Sequence, residues 1–357
     1  MWEEQQPVVR ITTFGPLSVE WLEDNSERYT PISADKIDAK GVLPARSLLK
    51  LLLCQPHRYA PRDWVLEQFW PDMEHKAALH RVGNVVWILR RLLCPPEAKD
   101  PEKLRSLLLT STQSEQGTGL GYQLAAYPLI WVDADAFEWC VEQAARLSRF
   151  GDDPLPYWQR AYELGSRGTF LADEIYSEWT TQRRDLLSGH FRQCVFELSR
   201  LLIARGLTTE AEVYLRKYVV SHPTDEDVLR PLMELLGQQE RYQELLSLYQ
   251  TCETALADED RQPDSRTQDI VEYFKSKQIR RARTPVVPTQ ALLSVKPNTR
   301  HLPSSQSLPL GLLASLSQQT TVQGIMLAGS SFEGTDVERT GMKIPRRDFF
   351  QEMLISS

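Results

Sequence analysis

Arg81 and Asn84 stand three residues apart in the run HKAALHRVGNVVWILRRLL, residues 75–93. On a helix that spacing brings a guanidinium and a carboxamide to one side. These are the groups that pair with base edges in the major groove of DNA, Arg bidentately with guanine and Asn with adenine. Ala78, Val82, Val85, Val86, Leu89, Leu92 and Leu93 recur at spacings of three and four and form one apolar stripe. His80, Arg81, Asn84, Trp87, Ile88 and Arg91 fall opposite it, and from Lys76 to Arg91 there are four Lys or Arg residues and no acidic one. Arg81 and Asn84 are therefore the candidate base contacts, with Trp87 and Ile88 placed to touch a thymine methyl. Lys76, His80, Arg90 and Arg91 are candidate phosphate contacts, which fix register without reading sequence. The competing account is a solvated helix face whose charges are taken up by salt bridges; the surrounding elements decide between the two.

Those elements run in a telling order. Residues 8–21, VVRITTFGPLSVEW, and the region Ile32–Ile37 are short, β-branched and broken by Gly15, Pro16 and Asn25, which predicts a small sheet or hairpins. PARSLLKLLLC (44–54) then forms a compact apolar helix with Pro early, where its missing N–H costs little. RDWVLEQFW (62–70) forms a second helix stopped by Pro71. After the third helix and a polar insertion from Pro95 to Arg105, two β-prone runs flank the Gly117–Gly121 turn and predict a hairpin. Strands, three helices and a hairpin are the order of a winged helix-turn-helix, with the third helix presented to DNA. Thr118, Tyr122 and Gln123 on the wing are candidate contacts to the neighbouring backbone or minor groove.

From Asp133 onward the pattern is helical almost throughout. Arg205-Gly206, His222-Pro223 and Gly237-Gln238 punctuate it at intervals of about half of a roughly 34-residue helical-hairpin repeat. The expected fold is mainly α with a small β component: a winged helix-turn-helix over residues 1–132, then tetratricopeptide-like α-helical hairpins over 133–277. Tyr162, Trp179, Tyr214 and Tyr242 are expected in the core. Residues 278–357 turn rich in Pro, Ser, Thr and Gln, too poor in periodic apolar residues to bury a core, and are expected to be a linker and disordered tail.

A chain of 357 residues with 25% charged and 41% hydrophobic side chains has the composition of a globular protein large enough for two domains and more. The net charge of −7 argues against a nucleic-acid partner only until its distribution is considered. The acidic excess lies in residues 133–277, leaving the Lys76–Arg91 stripe as a local positive face. No apolar run approaches the roughly 20 residues of a membrane span. The start, MWEEQQPVVR, is acidic and unlike a signal peptide. A cytoplasmic protein is expected, with Cys54, Cys94, Cys140, Cys194 and Cys252 reduced, since they lie far apart without a C-x-x-C pair.

Enzyme chemistry finds little support. The turn from Gly117 to Gly121 is followed by no Gly-Lys-Ser/Thr, so a wing turn explains it better than a phosphate loop. Asp173, Glu174 and Glu178 are accounted for as an acidic cluster starting a helix, favoured by its dipole. His75 and His80 are poorly spaced to share a metal, and Arg346-Arg347 has no apolar stretch after it to make an export signal. No catalytic residue, metal, cofactor or small-molecule ligand is expected.

LPARSLLKLLLCQPHRYAPRDWVLEQFWPD, KAALHRVGNVVWILRRLL, and GYQL followed by VDADAF resemble the OmpR-type winged helix of the Streptomyces antibiotic regulatory protein family. The continuation through YELGSRGTFLADEIYSEWTTQRRDLL and LIARGLTTEAEVYLRKYVVSHPTDEDVLRPLMELLGQQERYQELLSLYQTCETAL resembles that family's bacterial transcriptional activator domain. The resemblance covers roughly residues 8–275. It implies a transcriptional regulator that docks on direct repeats near a promoter as side-by-side protomers and contacts RNA polymerase. Leu89-Arg90 and Arg91 match the family's helix ending, whereas Trp87 and Ile88 stand where Ser and Arg are common, so the family's base preference does not transfer. The alternative is a non-enzymatic scaffold whose winged helix binds protein, with Trp87 and Ile88 as its contact residues.

Overall fold

Strands that alternate apolar and polar side chains build the first layer. β1 (Val9–Thr12) buries Val9 and Ile11, and β2 (Ser18–Leu22) buries Val19 and Trp21. A computed structural model describes residues 6–23, 28–31, 42–94, 105–111 and 120–283. The expected strand near Ile32–Ile37, residues 95–104 of the insertion, the wing turn with Thr118, and the tail from residue 284 lie outside them. β1 pairs antiparallel with β2 (Val9 opposite Trp21), which pairs with β3 (Tyr29–Pro31). On its other edge β1 pairs in parallel with β7 (Ile130–Val132), Val9 opposite Ile130. Parallel neighbours need a long crossover, and here everything between β3 and β7 supplies it.

That crossover is the winged helix. It contains α1 (Val42–Cys54), β4 (Tyr59–Pro61), α2 (Arg62–Phe69), α3 (His75–Leu92), β5 (Leu108–Ser111) and β6 (Gly121–Leu124). A second sheet has the order β4-β6-β5. On its central strand β6 a glycine leaves room for a ring: a Cβ on Gly121 would lie 2.4 Å from Tyr59. α1 is apolar on nearly every side, with Leu48, Leu51 and Leu52 inaccessible to solvent.

The helical layer is α4 (Asp133–Phe150), α5 (Leu155–Gly165), α6 (Glu178–Ala204), α7 (Thr208–Ser221), α8 (Glu226–Gln238), α9 (Tyr242–Asp258) and α10 (Ser265–Arg283). Each helix packs on the next, as in tetratricopeptide-like hairpins, and α10 also packs on α8. Tyr162 and Tyr242 are buried and Trp179 and Tyr214 half-buried, with Tyr162 edge-on to Tyr214 at 4.5 Å. The fold is thus mainly α with a small β component, as the sequence predicts.

Asp133, the first residue of α4, is fully buried. Its carboxylate accepts from the Thr13 amide (2.7 Å), the Thr13 hydroxyl (2.6 Å), the Phe14 amide (3.1 Å) and the Ala134 amide (2.8 Å). Burial pushes this carboxyl above its usual range, against the downward pull of those four bonds. The position at a helix N-terminus also favours a negative charge.

Two ionic clusters join the halves. Lys50 on α1, only 6% exposed, meets Asp173 at 2.9 Å and Glu174 at 2.7 Å. This corrects the expectation that Asp173 and Glu174 serve a helix start: α6 begins at Glu178, and the two carboxylates neutralise a buried ammonium instead. Arg58, also buried, ion-pairs with Asp135 and donates to Ala125 O at 2.7 Å, while Arg183 forks onto Glu138 at 2.5 and 2.6 Å. Burial, with Arg183 nearby, lowers the Arg58 guanidinium to about 10. Backbone pairing continues the junction, since Leu171 donates to Thr13 O at 2.8 Å and Gly15 to Thr169 O at 2.9 Å. The described residues accordingly belong to one compact unit, residues 1–287.

Replacing Asp133 with Ala strands four buried donors, and the variant should lose roughly 2–5 kcal/mol in urea denaturation. Loss within 0.5 kcal/mol would mean that the carboxylate does not bind strand to helix. The Lys50 cluster carries a pH signature. Burial pushes Asp173 and Glu174 upward, but the Lys50 bonds and charge prevail and hold both below their ordinary values. A depressed carboxylate stabilises the fold above its unfolded pKa, and that contribution vanishes as pH falls through the folded one. Lys50→Met should therefore be less stable at neutral pH and lose less stability than wild type on acidification below about pH 4.5.

Candidate nucleic-acid interface

α2 and α3 are joined by a short turn in which Trp70 donates to Leu66 O at 2.8 Å and Met73 to Trp70 O at 3.2 Å. α3 is no strong helix by propensity, since Val82, Val85 and Val86 are β-branched. It forms because these three, with Ala78 and Leu89, are buried against α1, α2 and β5. Its C-terminal end is held twice. The Trp21 indole N–H donates to Leu92 O at 2.9 Å, satisfying a carbonyl the helix leaves unpaired. Arg90 donates to Leu108 O at 3.1 and 2.9 Å and to Thr110 Oγ1 at 3.2 Å, tying the helix to β5.

With the inner stripe anchored, the outer face is fixed by the helical repeat of about 100° per residue. His80, Asn84, Trp87 and Arg91 occupy its centre, Arg81 one flank, and Lys76 and Gly83 the other. His80, Arg81, Asn84, Lys76 and Arg91 are exposed, and Trp87 stands 64% exposed. Among the described residues, Lys76, Arg81, Asn84 and Arg91 have no hydrogen-bond or ion-pair partner. Salt bridges thus do not take up the charges at these positions. The result is a ridge with three cations, an amide and an indole, carried by an otherwise acidic molecule.

Three sequence candidates are placed differently. Ile88 is half-buried and packs on the core, so only part of it reaches the outer face. Arg90 is half-buried, and burial, with Arg105 beside it, lowers its guanidinium from the ordinary value. Its donors face the wing rather than solvent, because its flank of α3 is the one that meets β5. Tyr122, expected to reach DNA from the wing, is 6% exposed instead. Strand alternation turns its ring into the core and leaves its neighbour Gln123 half-exposed, where the amide contacts His57 O at 3.4 Å. The sequence reading missed Trp21, whose bond to Leu92 sets the end of α3, and Gly83 on the exposed flank; the first depends on a contact between residues 71 positions apart, and the second is visible only as a break in the polar face.

Residues 132–273 match the family model of the bacterial transcriptional activator domain. The solved structure described as Mycobacterium tuberculosis EmbR in complex with low affinity phosphopeptide is similar in fold, with a TM-score of 0.55 and 17% identity over 76% of this chain and 66% of that chain. The chain therefore spans just under two thirds of that protein's length. No curated protein matches it. The helical match and the fold together support the resemblance to Streptomyces antibiotic regulatory proteins drawn from the sequence.

The two arginines at the end of α3 should separate by role in the free protein. Arg90→Ala removes three bonds to β5 and should cost about 1–2 kcal/mol while speeding amide exchange in that strand. Arg91→Ala should change stability by less than about 0.5 kcal/mol. Equal effects from both variants would refute the assignment of Arg90 to the wing.

Proposed function

We propose that this winged helix, mounted on a bacterial transcriptional activator domain, makes the chain a non-enzymatic, DNA-binding regulator of transcription. α3 enters the major groove, whose width of about 12 Å admits one helix. Arg81 and Asn84 read base edges, Trp87 and the exposed part of Ile88 meet a thymine methyl, and Lys76, His80 and Arg91 hold phosphates. The hairpin of β5 and β6, steadied by Arg90, lies over the adjoining backbone, with Gln123 and Thr118 as its contacts. Residues 1–132 form the DNA-binding part, residues 133–277 with the end of α10 the part that contacts RNA polymerase and a second protomer on direct repeats, and the rest of the 278–357 segment, after Arg283, a linker and tail. The protein acts as an activator and works in the cytoplasm, associated with the nucleoid.

The observation that carries this reading is the unpartnered cationic and amide face of α3, anchored from behind by a buried valine stripe. The ionic clusters at Lys50 and Arg58 support it further. A helix fixed to the rest of the molecule presents one geometry to the groove, which lowers the ordering cost of binding. The 64% exposure of Trp87 favours a second reading, a scaffold whose winged helix grips another protein.

Salt and mutation separate the two. Affinity for a selected promoter fragment should fall by roughly 10³ to 10⁵ between 50 and 200 mM salt for six to ten phosphate contacts. Arg81→Ala combined with Asn84→Ala should cost roughly 2–6 kcal/mol of specific binding, about 1–3 for each lost base pair contact. Unchanged discrimination between target and random duplex in the double variant sinks the base-contact assignment, and absence of any footprint from the wild type favours the scaffold.

A further inference from the structure

Gly83 lies in the interior of α3, where glycine is less favourable than alanine because it surrenders more backbone freedom on ordering. Nothing in the fold asks for it. Its φ is not left-handed, it is exposed, and a Cβ built on it meets no atom within 4 Å among the described residues. Most other described glycines have evident reasons. Gly121 leaves room for Tyr59, while Gly15 and Gly151 adopt positive φ of 99° and 82°. Gly189 in α6 resembles Gly83 in being exposed with no atom within reach of a Cβ. What sets Gly83 apart is its surroundings. It shares a flank of α3 with Lys76, two turns before it and unpartnered, and with Arg90, two turns after it and bonded to Leu108 O of the wing strand. That flank is the side of the helix turned toward the hairpin, and at its middle the helix main chain lies bare.

We infer that Gly83 is the point where a sugar-phosphate strand crosses between α3 and the wing, in van der Waals contact with the helix backbone. The inference rests on the DNA-binding reading above and extends it. Lys76 neutralises a phosphate at one end of the crossing, Arg90 keeps the hairpin on the far side of the strand, and the missing Cβ sets how deeply α3 sits. Depth in turn decides which base edges Arg81 and Asn84 can reach, so Gly83 is a specificity-determining residue that contacts no base itself.

The full-length chain is tested with the duplex that the wild type selects most strongly from a randomised library. Gly83→Ala should raise Tm by about 2 °C, because helix propensity improves in a folded unit of this size. The same variant should bind the selected duplex at least tenfold more weakly, and Gly83→Leu more weakly still. Gly189→Ala should raise Tm similarly and leave the affinity unchanged. A Gly83→Ala protein that binds as tightly as wild type overturns the inference while leaving DNA binding by α3 intact. A drop in its Tm also overturns it, since the fold would then need the glycine. A wild type that selects no duplex removes the DNA-binding reading itself, and the role of Gly83 with it.

Discussion

A carboxylate sealed inside the protein holds the two halves of this chain together. Asp133 closes β7, opens α4 and binds the end of β1 through Thr13 and Phe14. Taking a carboxylate out of water costs several kcal/mol, which only a full set of short hydrogen bonds can offset. Here three donors come from Thr13 and Phe14, just past the end of β1, and one from the helix that follows. Once that cluster forms, β1 and β7 are neighbours, everything between them becomes a closed crossover, and the first turn of α4 is fixed at the base of the sheet. The edge-on contact of Phe14 with Phe137 at 5.3 Å continues the same junction in apolar terms.

From that fixed base, charge is sorted by burial. Cations that point inward, Lys50, Arg58 and Arg183, each meet carboxylates of the helical half, as an almost dry environment demands. Most of the cations on α3 point outward and meet none. Arg90 lies between these cases. Its guanidinium is spent on a backbone carbonyl of the wing strand, so a residue that reads as part of the basic ridge serves instead to align α3 with β5. The acidity of the helical half is likewise consumed in part internally. Arg192 bonds Asp225 and Asp227, and Arg241 bonds Glu212 and Glu244, each pair joining helices or helix ends within the repeat.

The helices of the second half differ from α3 in what holds them. α6 runs for 27 residues with Cys194, Val195, Leu198 and Leu202 fully buried, and the Phe191 ring, in contact with Tyr162 and Tyr218, fastens it to its neighbours. Removing any one contact leaves others. α3 buries one stripe, Ala78, Val82, Val85, Val86 and Leu89, along its 18 residues. Its position rests on that stripe packed against α1 and α2 and on the Trp21 and Arg90 hydrogen bonds at its C-terminal end.

Short-range chemistry was legible in the residues alone. Apolar runs bounded by prolines, and for α3 a periodicity of three and four, placed α1, α2 and α3 within two residues of their ends, and the valine stripe fixed which side of α3 turns inward and hence that Arg81, Asn84 and Trp87 face out. Those properties depend on neighbours within a turn or two, which the order of residues specifies directly. What the order of residues left open was every pairing across distance. Asp133 was only the point where a helical pattern begins, Asp173 and Glu174 looked like a helix start, Tyr122 like a wing contact and Arg90 like one more phosphate ligand. Tertiary structure decided these four because the partner of each, Thr13, Lys50, the core beneath the wing and Leu108, lies on a separate element. A charge or hydroxyl acquires its role only when the chain brings a donor, an acceptor or a dry wall to it.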